Sequence, residues 1–188
     1  MRRMMGLAAL MAALLIGGTA QAAFIDLTVS DLGGGQWALS VTSSADAPNL
    51  GAVNVETLGV TGMTLNPANA GISGPDSVFS PDVLGPGAGY LIINNTANGV
   101  SIADSGSAGL LLATLSANGP VVLTPSETNA GSASFYDVNL VAIDTLDGAG
   151  VSSIDGGLRV GPSPVPEPTT LMLLGLGLAG MALVRRSA

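Results

Sequence analysis

The 188-residue chain contains no cysteine and no histidine, and its five basic residues are all arginines (Arg2, Arg3, Arg159, Arg185 and Arg186), so it has no lysine either. Each absence removes a class of chemistry. Without cysteine there are no disulfides, and any folded part must rest on its apolar core. Without histidine or cysteine, neither a Ser-His-Asp nor a Cys-His nucleophile can be assembled, nor a His- or Cys-ligated zinc or haem site. Without lysine there is no Schiff-base chemistry. Aromatic side chains are scarce: Phe24, Trp37, Phe79, Tyr90, Phe135 and Tyr136 are all there are. Sugar clefts use several aromatics, so Glu56 and Glu127 make a poor glycosidase pair, although two carboxylates about 5 to 10 Å apart are what that reaction needs. The chain is expected not to be an enzyme and to need no cofactor.

What is present begins with two apolar ends. Met1-Arg2-Arg3 is a basic start, Met4 to Gly18 is uncharged and mostly apolar, and Ala20-Gln21-Ala22 offers a small-x-small cleavage site. That order predicts a helical secretory signal peptide over 1–22, with Ala20 and Ala22 as the cleavage residues and Ala23 as the mature start. A retained anchor is the alternative, but the apolar run is short for a span. At the other end, Val165-Pro166-Glu167-Pro168 leads into Thr169 to Val184, which carries no charge, and then Arg185-Arg186. At a helical rise of about 1.5 Å per residue this segment reaches roughly 24 Å, a little under the ~30 Å hydrocarbon core. Bilayer thinning or snorkelling arginines make up the difference, giving a transmembrane helix over 169–184. The paired arginines put that end in the cytoplasm and everything before Pro166 outside. Pro166 and Pro168 prevent the helix from extending backwards. Gly175, Gly177 and Gly180 match G-x-G-x-x-G, but no strand precedes them and the acidic residue of a dinucleotide site is missing; they are read as small residues that let helices pack in lipid.

Val165-Pro166-Glu167-Pro168-Thr169-Thr170, the leucine- and glycine-rich span and the terminal Arg185-Arg186 together resemble the PEP-CTERM sorting signal of Gram-negative bacteria, over residues 162–188. The resemblance implies recognition and processing by an exosortase through Val165, Pro166, Glu167, Pro168, Arg185 and Arg186. It also implies export across the inner membrane, transient membrane anchoring, and delivery to the cell surface or an extracellular (biofilm) matrix. An ordinary single-span anchor behind a proline-rich stalk is the plainer alternative.

Between these ends, residues 23–161 form a predicted extracytoplasmic domain of 139 residues, a normal size for one core. Its twelve carboxylates face only Arg159, a net charge of −11. Such a surface repels nucleic acid and anionic headgroups and attracts cations. The pattern is one of strands. Ile25, Leu27 and Val29 alternate with polar residues, Gly33-Gly34-Gly35 turns the chain, and Trp37, Leu39 and Val41 alternate again, which is a hairpin with one buried face. Further strands are expected at 52–58, 60–65, 90–94, 100–103, 110–115, 121–124, 134–143 and 158–160. Asn98-Gly99 and Asn118-Gly119 suit tight type I′ turns between them. The fold class is therefore all-β, an antiparallel β-sandwich. Phe24 to Ser30 and Leu110 to Leu115 faintly resemble strands of cohesin-like sandwiches, which with the jelly roll are the topologies favoured.

Two stretches stand out. Residues 66–89 carry Pro67, Pro75, Pro81 and Pro86 among several glycines, either a long functional loop or a loop hiding a short strand or turn near Ser77 to Phe79. Asp144 to Gly150 is an acidic, glycine-rich turn in which Asp144 and Asp147 are candidate calcium ligands. It lacks EF-hand spacing, so a solvated turn with at most weak calcium binding is expected. Gly161 to Pro166 reads as an extended stalk. Two functions survive: a non-catalytic matrix or envelope protein with exopolysaccharide or other matrix proteins as partners, or a surface module that binds carbohydrate or protein. Exposed Trp37 or Tyr90 would favour the second, and burial of both the first.

Overall fold

The alternation that predicts the first hairpin is what builds it: Ile25, Leu27, Leu39 and Val41 are wholly buried on one face, and the residues between them lie on the other. The computed structural model describes residues 22–66, 77–95, 100–126 and 133–162. All of these belong to one compact unit, Ala22–Pro162. They hold nine strands: β1 (Ile25–Gly33), β2 (Gln36–Ser43), β3 (Leu50–Leu65), β4 (Val78–Gly85), β5 (Ala88–Asn94), β6 (Leu110–Pro125), β7 (Phe135–Asp137), β8 (Val151–Ile154) and β9 (Gly157–Val160). The predicted signal helix and the predicted transmembrane helix lie outside the described residues. Among the described residues no helix is long and apolar enough to cross a membrane.

The strands form one antiparallel sheet in the order β4-β5-β3-β6-β2-β1-β9-β8, with β7 added against the start of β3. Leu91 and Ile93 on β5 share a core with Leu158 and Val160 on β9, although four strands separate them in the sheet. A single sheet brings such distant strands together only by curling, and the result is a half-barrel closed over its own apolar face. Near the closure, the Leu123 amide on β6 donates to the Gly156 carbonyl in the β8–β9 turn (2.7 Å). The all-β, antiparallel expectation holds; the strands are joined in one hydrogen-bonded sheet instead of two separately paired ones.

The reason lies in β3 and β6, each 16 residues long and paired along most of their length. The sequence suggested a break in each. Instead, Leu58 pairs with Val122 and Val60 with Ala117, so Gly59 alone faces residues 118–121. Asn118-Gly119 is thus an outward bulge within β6 and not a hairpin turn; Gly119 has no positive φ, as a type I′ turn would require. Gly59 does, at +81°, and a Cβ there would lie 2.6 Å from the Pro120 carbonyl oxygen. Glycine is what lets β3 pass the bulge unbroken.

Residues 66–89 include β4 and the turn of the β4–β5 hairpin, with β4 in the sheet-edge position where Pro81 costs no ladder bond. The Asp82 carboxylate, from a residue at φ 58°, accepts the Gly87 amide at 2.6 Å and closes it. The strand expected near Ser77 to Phe79 is therefore present, and residues 67–76 lie outside the described residues. Asn98-Gly99 does too. The run at 134–143 is strand only over β7, followed by a turn in which the Asp137 amide donates to Val141 and the Ile143 amide to Phe135.

Candidate functional site

The acidic turn comes first because it carried the calcium expectation. Leu146 and Ala149 exchange both backbone hydrogen bonds, at 3.0 and 2.9 Å. Between them Asp147 (φ 48°) and Gly148 (φ 78°) are left-handed. This is the type I′ geometry that Asp-Gly favours. It does not gather carboxylates. Asp144 accepts the Ser134 amide on one oxygen (2.8 Å) and the Phe135 amide on the other (2.7 Å). Both donors belong to buried residues, so Asp144 satisfies backbone groups that would otherwise be stranded. Asp147 is exposed and turns to the start of the domain, accepting the Ala23 amide at 2.5 Å. Among the described residues no three acidic side chains are placed to share a metal ion.

Asp137 closes the β7 turn in a similar way, accepting the Asn139 and Val141 amides at 2.8 and 2.9 Å. The Val141 amide, helped by Asn139 and opposed by partial burial, holds this carboxyl below its ordinary range.

The strongest electrostatic feature is one that the sequence reading missed. Arg159 on β9 lies opposite Asp26 on β1. Its Nε donates to Asp26 Oδ1 at 2.5 Å and its second nitrogen to Oδ2, a two-pronged ion pair with both residues 8% exposed. The guanidinium also lies 4.8 Å from the centre of the Phe24 ring. The Asp26 hydrogen bond raises the Arg159 pKa, so the side chain is charged at every accessible pH. A partial signal existed: the only arginine among the domain's twelve acids sits on an expected strand, and if buried it must pair with one of them.

This pair locks the first strand to the last. Phe24 is fixed further by the Ser44 hydroxyl, which accepts its amide at 3.0 Å. Gly161 (φ 113°) packs so closely on the Ala23 carbonyl and Phe24 that no side chain fits there. The chain therefore enters and leaves the domain side by side, at Ala23 and Gly161.

Trp37 and Tyr90 are both half-buried, so neither the fully exposed nor the fully buried outcome applies. Trp37 packs against the core. Of the other predicted site residues, Ala22 is exposed at the domain's start; Ala20, Val165, Pro166, Glu167, Pro168, Arg185 and Arg186 lie outside the described residues, as does Glu127.

No curated protein and no solved structure matches the chain. The family profile of the PEP-CTERM protein-sorting motif matches residues 164–186. The segment that leaves the domain just beyond Gly161 thus includes Pro166-Glu167-Pro168, the uncharged run and Arg185-Arg186, and the chain is a carrier of the PEP-CTERM protein-sorting motif.

Proposed function

We propose that this chain is the precursor of a non-catalytic protein of the cell envelope or extracellular matrix, trimmed at both ends on its way there. The sorting motif at 164–186 carries the reading, since it marks an exosortase substrate bound for the surface. The leader over 1–22 is removed after Ala22, the segment 169–184 anchors the chain until the exosortase acts, and the β-domain is what is delivered. Its chemistry supports a scaffold: the best-built polar groups, Asp26, Asp144 and Arg159, are spent on backbone amides and on each other. Calcium enters only as a diffuse counter-ion of the acidic surface. Mass analysis of surface material tests the proposal. The expected species begins at Ala23 and lacks Leu171 to Ala188; a main form retaining Leu171 to Ala188 refutes processing and leaves a plain anchor.

A second reading, a carbohydrate- or protein-binding module, is favoured by one observation. Tyr90 pairs with Glu56, Glu56 with Thr124, and Leu58 with Val122, on the outward phase of β5, β3 and β6. Leu58 and Val122 are exposed there, giving a face with an aromatic, two aliphatic and several polar side chains. Retention of the protein on matrix polysaccharide, lost with Tyr90→Ala and Leu58→Ser while folding is kept, would support it; unchanged retention would end it.

A further inference from the structure

Ala23 is held with unusual care for a residue at a domain's edge. Its amide nitrogen lies 2.5 Å from Asp147 Oδ2, its carbonyl lies against Gly161, and the next amide is bound by Ser44. In the precursor that nitrogen carries one hydrogen and no charge. Hydrolysis of the Ala22–Ala23 bond consumes one water: the hydroxyl goes to the Ala22 carbonyl, forming a carboxyl group on the leader, and the proton to the Ala23 nitrogen. At neutral pH the new amine takes a further proton and becomes an ammonium group.

We propose that Asp147 is the acceptor for the mature chain's α-ammonium, so that removal of the leader converts a neutral hydrogen bond into an ion pair that fastens the new N-terminus to the Asp147–Gly148 turn. The proposal rests on cleavage after Ala22. Three features of the site fit it. The carboxylate is presented from a two-residue turn whose backbone is fixed by reciprocal hydrogen bonds. Charge-assisted bonds are roughly twice as strong as neutral ones. Finally, Arg159 is the only basic side chain between residues 23 and 161 and is already engaged by Asp26, so the new ammonium has no cationic rival for Asp147.

The lack of lysine makes the test direct, because a chain without lysine has a single amine, its N-terminus. The protein is recovered in its exported form from producing cells and acylated at pH 7 with an amine-directed ester; the rate is followed by intact mass, and the labelled peptide is sequenced. An exposed ion pair of ordinary strength should slow acylation about two- to five-fold relative to Asp147→Asn. Asparagine tolerates the left-handed backbone of this position, so the variant keeps the turn. Molar salt should bring the wild-type rate towards that of the variant. Equal rates at an Ala23 terminus, or a wild-type rate indifferent to salt, overturn the ion pair and leave the leader reading intact. A label at any other residue overturns both.

Discussion

Replacing Arg159 by methionine is the sharpest probe of what holds the domain together. Methionine keeps much of the arginine's length and packing but removes the charge, leaving the Asp26 carboxylate 8% exposed and without its partner. Removing one member of a buried pair costs about 3–5 kcal/mol, most of it the penalty for the charge left behind. The lost contact with the half-buried Phe24 ring adds about 0.5–1 kcal/mol. Against a total stability of about 5–15 kcal/mol this is a large fraction. For a domain of this size it should lower the melting temperature by about 10–24 °C, at roughly 3–4 °C per kcal/mol. The double variant Asp26→Leu with Arg159→Met removes both charges, and should recover most of the loss because two apolar side chains leave nothing unpaired. Urea unfolding of the four proteins forms a double-mutant cycle, in which the double variant should cost far less than the two single variants summed. The sign with pH also follows. The folded pKa of Arg159 is raised, so its contribution is fully present below the unfolded value and is lost only above it, beyond the range where the protein is handled. If Arg159→Met costs less than about 1 kcal/mol, or if the double variant is no better than the single, the pair does not fasten β1 to β9.

Three further outcomes are expected. Asp144→Ala strands the amides of Ser134 and Phe135, both buried, and should cost about 2–4 kcal/mol; calcium and magnesium should raise the melting temperature alike in wild type and variant, and a calcium-specific shift lost in the variant would instead establish a metal site. Thr57 is 1% exposed and its hydroxyl has no hydrogen-bond partner among the described residues, so Thr57→Val should be neutral or stabilising by up to about 1 kcal/mol in urea unfolding. The folded pKa of Asp137 is lowered, so its contribution is present above the unfolded carboxyl value and fades as pH falls through the folded one; the stability gap between wild type and Asp137→Asn should be open at pH 6 and narrower at pH 3.

The parts of the fold that were legible were those settled by near neighbours in the chain. The β1–β2 hairpin follows from period-two alternation around three glycines, and the register Ile25 to Ser43, Leu27 to Val41 is what that alternation demands. Asn118-Gly119 was misleading because a turn motif specifies only local backbone preference. Whether the chain reverses there depends on the strand opposite, and Gly59 lets β3 run past the bulge. Asp144 looked like a solvated turn residue for a related reason: the amides it caps lie nine and ten residues earlier, on a strand edge that no local pattern reveals. The ion pair of Asp26 and Arg159 spans 133 positions, and only sheet order brings its members together. At the C-terminus the opposite holds. A sorting signal is read by another protein as a linear order of residues, so Pro166-Glu167-Pro168, the apolar run and Arg185-Arg186 were recognisable without any fold.

The sheet order also bears on how the domain is assembled. Strand β9 is the last strand of the domain, yet it sits inside the sheet between β1 and β8. The closure of the half-barrel, including the bond from Leu123 to Gly156 and the pair of Arg159 with Asp26, therefore waits until residues 156–160 are available. The matched motif starts at residue 164, only a few positions later. With Ala23 and Gly161 adjacent, the chain enters and leaves the domain at one place.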